Sequence, residues 1–204
     1  MYVVLDTETT GFSEETDRII EIGALREDGA SFQAFVHCDR PLLHTITLIT
    51  GISDIDLLNA REERDVFREF FAFAGLRDYR LGKGDLPLFV AHNAPFDRKM
   101  LQAMVHRQGW AESAPLDRAM WIDTASLARR YWDPPVFDGE KSRYTLGNLC
   151  RYKGIALQGA HRALQDVYAT HDLLKVLLQE VKADPDPSFD PRGFELRQRK
   201  KVKP

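Results

Sequence analysis

Two carboxylates, Asp6 and Glu8, stand one residue apart where the apolar run of YVVLDTETTG (residues 2–11) ends. Side chains alternate across a strand, so Val4, Asp6 and Glu8 share one face while Leu5 and Thr7 share the other. Two like charges at the edge of a core cost free energy unless something neutralises them. A second cluster is HNAPFD (residues 92–97), where Asp97 follows a buried-looking strand and falls in the first turn of a helix opened by Pro95. A third is HRALQDV (residues 161–167), which holds His161 and Asp166. Five positions are about 140° around an ideal helix, so these two share a face only if His161 sits at the frayed helix start.

Taken singly, each cluster has an ordinary explanation. Asp6 and Glu8 read as solvated acids at a strand end, Asp97 as favourable charge at a helix N-terminus, and His161 as an exposed capping residue. His92 reads as a structural histidine and His171 as a surface or boundary one. Together they read differently. Four acids (Asp6, Glu8, Asp97 and Asp166) from separate strand and helix ends cluster stably if they bind cations, and an oxygen set without Cys points to Mg²⁺ or Mn²⁺. Two such ions form the clamp used for in-line attack on a phosphodiester, and His161 completes it as the group that takes a proton from water.

The elements that must position these residues follow from periodicity. Residues 1–8 read as a central strand, and 18–28 with 31–38 as a hairpin closed near Asp28-Gly29. TITLITGISDIDLLNA (45–60) reads as short helix and turn, and 61–80 as a helix with Val66, Phe67, Phe70 and Phe71 on its apolar stripe. A buried strand is expected over 86–92, a helix from Pro95 to about Gly109, and a last strand over 119–123 that feeds the helix of TASLARRY. Residues 133–144 read as a loop, 145–152 as a helix and 161–182 as a long helix. Three initial antiparallel strands followed by strand–helix units make a mixed α/β domain.

Composition narrows the classes of function. The 204 residues are 44% hydrophobic, which suits one globular domain. No run approaches the roughly 20 apolar residues of a membrane span, and no signal-peptide pattern is visible, so a cytoplasmic location without membrane contact is expected. Cys38 and Cys150 lie far apart with no CxxC partner, against a zinc or disulfide framework, and each reads as a small buried hydrophobe. Net charge is −3, distributed as −5 over residues 1–183, −3 over 184–191 and +5 over 192–204. Such a body does not grip nucleic acid by charge alone, so cations have to help with phosphates. The expected organisation is a domain over 1–183 and a disordered, Pro-containing, basic tail over 184–204.

The three motifs VVLDTETTG, HNAPFD and HRALQD resemble those of the DEDDh exonucleases. That group, of ribonuclease-H-like fold, includes the proofreading epsilon subunit of bacterial DNA polymerase III and ribonuclease T. IIEIGA and ITGI are similar to further landmarks of the group, and the likeness runs over about residues 1–181. The sister branch carries tyrosine where this chain has Arg162, so the histidine branch is the match. The resemblance implies a mixed five-stranded sheet flanked by helices and a two-metal 3′→5′ exonuclease. It implies that Asp6 bridges both ions, that Glu8 and Asp166 complete the site of the attacking water, that Asp97 supports the second ion and that His161 is the general base. It also implies that the Thr9 backbone N–H lies near the terminal sugar and that Phe12 is a wedge between terminal bases. Ile49 and Asn93 are further substrate-contact candidates.

The expected partner is a single-stranded nucleic-acid 3′ end, DNA before RNA, with a DNA polymerase subunit as a candidate protein partner. RNA 3′-end trimming is the alternative within the same chemistry. A catalytically idle adaptor is an alternative of another class, opposed by the presence of all five chemistry residues. A ribonuclease-H-like endonuclease is opposed by the histidine before the last helix.

Overall fold

In the computed structural model, residues 1–77, 84–109, 114–157 and 161–183 are described. The expected tail over 184–204 lies outside them. Five strands form one sheet: β1 (Tyr2–Thr9), β2 (Ile19–Arg26), β3 (Ser31–Phe35), β4 (Leu88–Ala91) and β5 (Met120–Asp123), in the order β3-β2-β1-β4-β5. β2 runs antiparallel to β1 and to β3, while β4 runs parallel to β1 and β5 parallel to β4. β1 is therefore central, as its apolar run required. The hairpin closes where expected: Gly29 takes φ 87°, and the amide of Arg26 donates to the Ala30 carbonyl at 2.8 Å.

The described helices are α1 (His44–Thr50), α2 (Asp54–Leu58), α3 (Glu63–Phe73), α4 (Ala94–Arg107), α5 (Ala114–Arg118), α6 (Thr124–Tyr131), α7 (Leu146–Lys153) and α8 (Ala163–Ala183). The stretch expected as one short helix and turn is two helices. Gly51 stops α1 in the left-handed region at φ 69°, and Ser53 starts α2 with a capping box to Asp56. α3 is shorter than the expected 61–80, because Gly75, at φ 77°, turns the chain just beyond Phe73.

The two sheet faces have separate tasks. Val3, Leu5, Ile22 and Ala24 pack with Phe67 and Phe70 of α3 and Met100, Leu101 and Met104 of α4 into the larger core. On the opposite face Val4, Leu25 and Val90 meet Val167 and Leu174 of α8. By alternation Asp6 and Glu8 lie on this second face, beneath the start of α8, while Thr7 points towards α4. Among the described residues no helix is long and apolar enough to cross a membrane.

Candidate active site

β1 brings the first two acids to the sheet's open end. Its register with β2 slips between Glu8 and Thr9, a bulge that ends regular pairing there. The turn beyond is stapled by Asp17, which accepts from the Thr10 hydroxyl at 2.9 Å and the Ser13 amide at 2.9 Å. A Cβ at Gly11 would lie 2.5 Å from the Asp17 carboxylate, so a side chain there would displace that staple.

Asp97 reaches the same end from α4. Asn93 precedes that helix in the left-handed region at φ 68°, which asparagine tolerates better than most residues. Its amide donates to Asp123 at 2.8 Å, and that acid also caps α6 through the Ala125 amide. With the turn held, Asp97 is only 2% exposed and accepts from the Thr7 hydroxyl at 2.8 Å. His92 is structural, as expected: Nε2 donates to the Tyr144 carbonyl at 3.0 Å, Nδ1 lies 2.9 Å from the Thr124 hydroxyl, and burial lowers its pKa.

α8 delivers the third cluster. Asp166 lies buried in its first turn, and its Oδ2 accepts from the His161 amide at 3.1 Å. His161 precedes the helix at φ 65°, an uncommon conformation for a residue with a side chain. The helix start thus turns the exposed imidazole back towards β1. Ligand atoms of Glu8, His161 and Asp166 all lie within 4.8 Å of one another.

Electrostatics bind the four acids into one site. Burial, then Asp97, Glu8 and Asp166 in turn, push the Asp6 carboxyl well above the usual range. Glu8 is raised to about 8, by burial first and then by Asp166, Glu21 and Asp97. Asp97 is raised to about 7, chiefly by burial, and burial also raises Asp166. A cluster so reluctant to ionise is short of positive charge. Asp166 Oδ1 is buried with no hydrogen-bond partner among the described residues. That orphaned oxygen beside further carboxylates and an imidazole fits a bound divalent cation. A cleft of about 530 Å³ opens beside His161 and Asp166, lined also by Thr145, Asn148, Arg151 and Leu157. The Cys150 thiol on its wall is pushed up to about 11 by burial and so stays protonated.

The five expected chemistry residues thus converge. The expected substrate contacts are more scattered. Thr9 is buried with its hydroxyl on the Gly11 carbonyl at 2.6 Å. Phe12 stands 83% exposed, one edge against the Phe96 ring, on a turn whose carbonyl accepts from Lys99 at 2.8 Å. Ile49 is exposed on α1, and Asn93 is exposed at the start of α4. Cys38, expected as a buried hydrophobe, is half-buried, with its thiol on the Arg40 carbonyl; Cys150 is buried. Two residues escaped the sequence reading. Asp123 is visible as an acid between a strand and a helix, the usual N-cap position. Glu21 is a lone acid inside the apolar IIEIGALR strand, paired across β1–β2 with Glu8 and wholly buried.

Comparison with known proteins agrees with this geometry. The exonuclease family model RNase_T matches residues 3–174. The PolC-type DNA polymerase III of Bacillus subtilis is 36% identical over 184 residues, 88% of this chain, and that of Bacillus cereus 34% over 185 residues. The chain spans only 11–12% of the length of these curated relatives. Among solved structures, exonuclease X in complex with 5′ overhanging duplex DNA superposes with a TM-score of 0.62 at 27% identity, covering 89% of this chain and 93% of that one. Cell-death related nuclease 4 shares the fold, with a TM-score of 0.70 at 20% identity over 88% of this chain and 64% of that one.

Proposed function

This chain belongs to the exonuclease family, and from that premise we propose that it is a two-metal-ion 3′→5′ exonuclease acting on single-stranded or frayed DNA ends and releasing nucleoside monophosphates. The observation that carries the reading is the convergence of Asp6, Glu8, Asp97, Asp166 and His161 on one end of the sheet, with carboxyl groups that resist ionising without a cation. Asp6, Glu8, Asp97 and Asp166 are the residues that would hold Mg²⁺ or Mn²⁺. Such a pair of ions, when bound, supplies hydroxide from water and stabilises the leaving oxygen.

The remaining work belongs to the protein. His161, exposed and beside Glu8 and Asp166, takes the proton of the attacking water and passes it to solvent. Thr7 keeps one oxygen of Asp97 oriented through its hydroxyl. The stapled turn over residues 10–17 presents Phe12 to the terminal base and the Thr9 amide to the terminal sugar. Ile49 and Asn93 flank the strand as further contacts. DNA is favoured over RNA because the relatives that cover this chain are DNA polymerases, and exonuclease X is seen with DNA. Association with a polymerase belongs to the same proposal.

The experiment is degradation of 5′-labelled DNA and RNA strands of matched sequence, with a circular DNA strand beside them. A DNA ladder that shortens by single nucleotides, slower loss of RNA and an intact circle are expected. Cleavage of the circle would mean an endonuclease, and an untouched linear strand would favour an adaptor without chemistry.

A further inference from the structure

We infer that Glu21 is a positioning residue, which seats the start of α8 against β2 and so sets where His161 and Asp166 stand relative to Glu8. The inference rests on the exonuclease reading above. Glu21 is completely buried, and a buried carboxylate is strongly destabilising unless hydrogen-bond or charge partners satisfy it. Its partners come from the first residue of α8, from Arg162 just before it and from β3. Oε2 accepts from the Ala163 amide at 3.1 Å and Arg162 Nε at 3.4 Å, and Oε1 from Arg162 Nη2 at 3.3 Å and Gln33 Nε2 at 2.7 Å. Ala163 is the first residue of α8, so its amide is one of the four that lack a partner within the helix, and the helix dipole adds to the attraction. With both oxygens taken by protein donors, Glu21 is not left for a cation, unlike Asp166.

Gly23 completes the seat. It lies on the same face of β2, and a Cβ there would fall 2.5 Å from the Ala163 carbonyl carbon and 2.6 Å from the Leu164 amide nitrogen. The backbone of α8 therefore rests directly on the sheet. Across the β1–β2 ladder Glu21 pairs with Glu8, and Gly23 pairs with Asp6. The two β2 positions that touch the helix start are thus the partners of the two β1 acids. His161 is two residues upstream of Ala163 and is tied to Asp166 through its own amide. Any shift of the helix start is passed to the imidazole and to Asp166 together.

A satisfied buried acid that only stabilises the fold would lower Tm and leave turnover alone. A positioning acid lowers turnover, in part through His161 and in part through Asp166. The test is a double-mutant cycle of Glu21→Gln with His161→Ala, read by single-turnover cleavage of a short DNA strand with Mn²⁺ well below Tm. Glutamine keeps the shape but sets an NH₂ group against one of the donors. The expected loss is about 10- to 100-fold in the rate of the chemical step with KM nearly unchanged, in keeping with misplacement by a fraction of an ångström to about 1 Å. In the His161→Ala background the further loss should shrink by at least about fivefold, the remainder being the part that passes through Asp166. Equal losses in both backgrounds, or a wild-type rate in Glu21→Gln, would overturn the inference. If Glu21→Gln does not fold, Arg162→Gln removes two of the four donors from a side chain that is 39% exposed. It should show a smaller loss with the same dependence on His161, and a loss independent of His161 would count against Glu21 equally. An inactive wild-type protein would defeat the exonuclease reading and this inference together, whereas active wild type with additive losses defeats the inference alone.

Discussion

Glu8→Gln should stabilise the metal-free protein, and by an amount that grows with pH. The Glu8 carboxyl is raised from the ordinary 4.5 to about 8. Between those values the native state holds a proton that the unfolded state has lost, so the wild-type protein loses stability as pH rises through that window. Glutamine carries no such proton. The advantage of the variant therefore widens by about 3 kcal/mol from pH 5 to pH 8, and by about 2 kcal/mol once the water that reaches this half-buried side chain is counted. For a chain of this length that is a Tm gap growing by about 4–8 °C. Taking the difference between two proteins removes the contributions of His92 and His171, whose lowered pKa values act with the opposite sign in wild type and variant alike. The assay is thermal unfolding in EDTA, followed by circular dichroism at half-unit steps of pH. Added Mg²⁺ or Mn²⁺ should raise the Tm of the wild type far more than that of the variant and so close the gap. A gap that stays constant from pH 5 to pH 8 would refute the claim that Glu8 sits in an environment hostile to its charge.

Two further outcomes follow from particular contacts. Phe12→Ala should leave Tm within about 1 °C, since the ring is 83% exposed and its contact is edge-on packing with Phe96. It should raise KM for single-stranded DNA by roughly 5- to 100-fold, the worth of one base stack, and an unchanged KM would remove Phe12 from the substrate path. Asp123→Ala removes the acceptor of the Asn93 and Ala125 amides and of the Ser126 hydroxyl. It should cost about 2–3 kcal/mol in urea unfolding and lower turnover through Asp97, whereas lost stability with full turnover would show that the Asn93 turn does not place Asp97.

Much of this arrangement is legible in the residues alone because strand periodicity is strict. The alternation in YVVLDTET separates Leu5 and Thr7 from Asp6 and Glu8, and the two sets do face different layers. Asp97 is placed in a helical first turn by Pro95, and Asp166 is placed on the last helix by its apolar stripe, though the structure starts that helix later, at Ala163, and so puts Asp166 in its first turn. What local patterns do not reveal is what crosses between elements. Glu21 reads as one more strand residue until Arg162, 141 positions away, closes on it. Asp123 shows its cap to α6 locally, but its hold on the Asn93 amide depends on β4 and β5 running in parallel. The break between α1 and α2 turns on the left-handed φ of Gly51, which a helical period does not register. His161 stands just ahead of the last helix, and its left-handed backbone and its amide bond to Asp166 are features that helical periodicity does not register.

The most direct test of the central claim is single-turnover cleavage of a 5′-labelled DNA strand by wild type and Asp6→Asn across a Mn²⁺ titration, with EDTA as the zero point. Asp6 is the acid that the other three all push upwards, so its charge is the one a pair of cations most needs. The account predicts a cooperative rise of wild-type cleavage with Mn²⁺, none in EDTA, and a loss of at least about 10³-fold in Asp6→Asn with its fold intact. Turnover that survives EDTA, or an Asp6→Asn protein that cleaves at the wild-type rate, would contradict it.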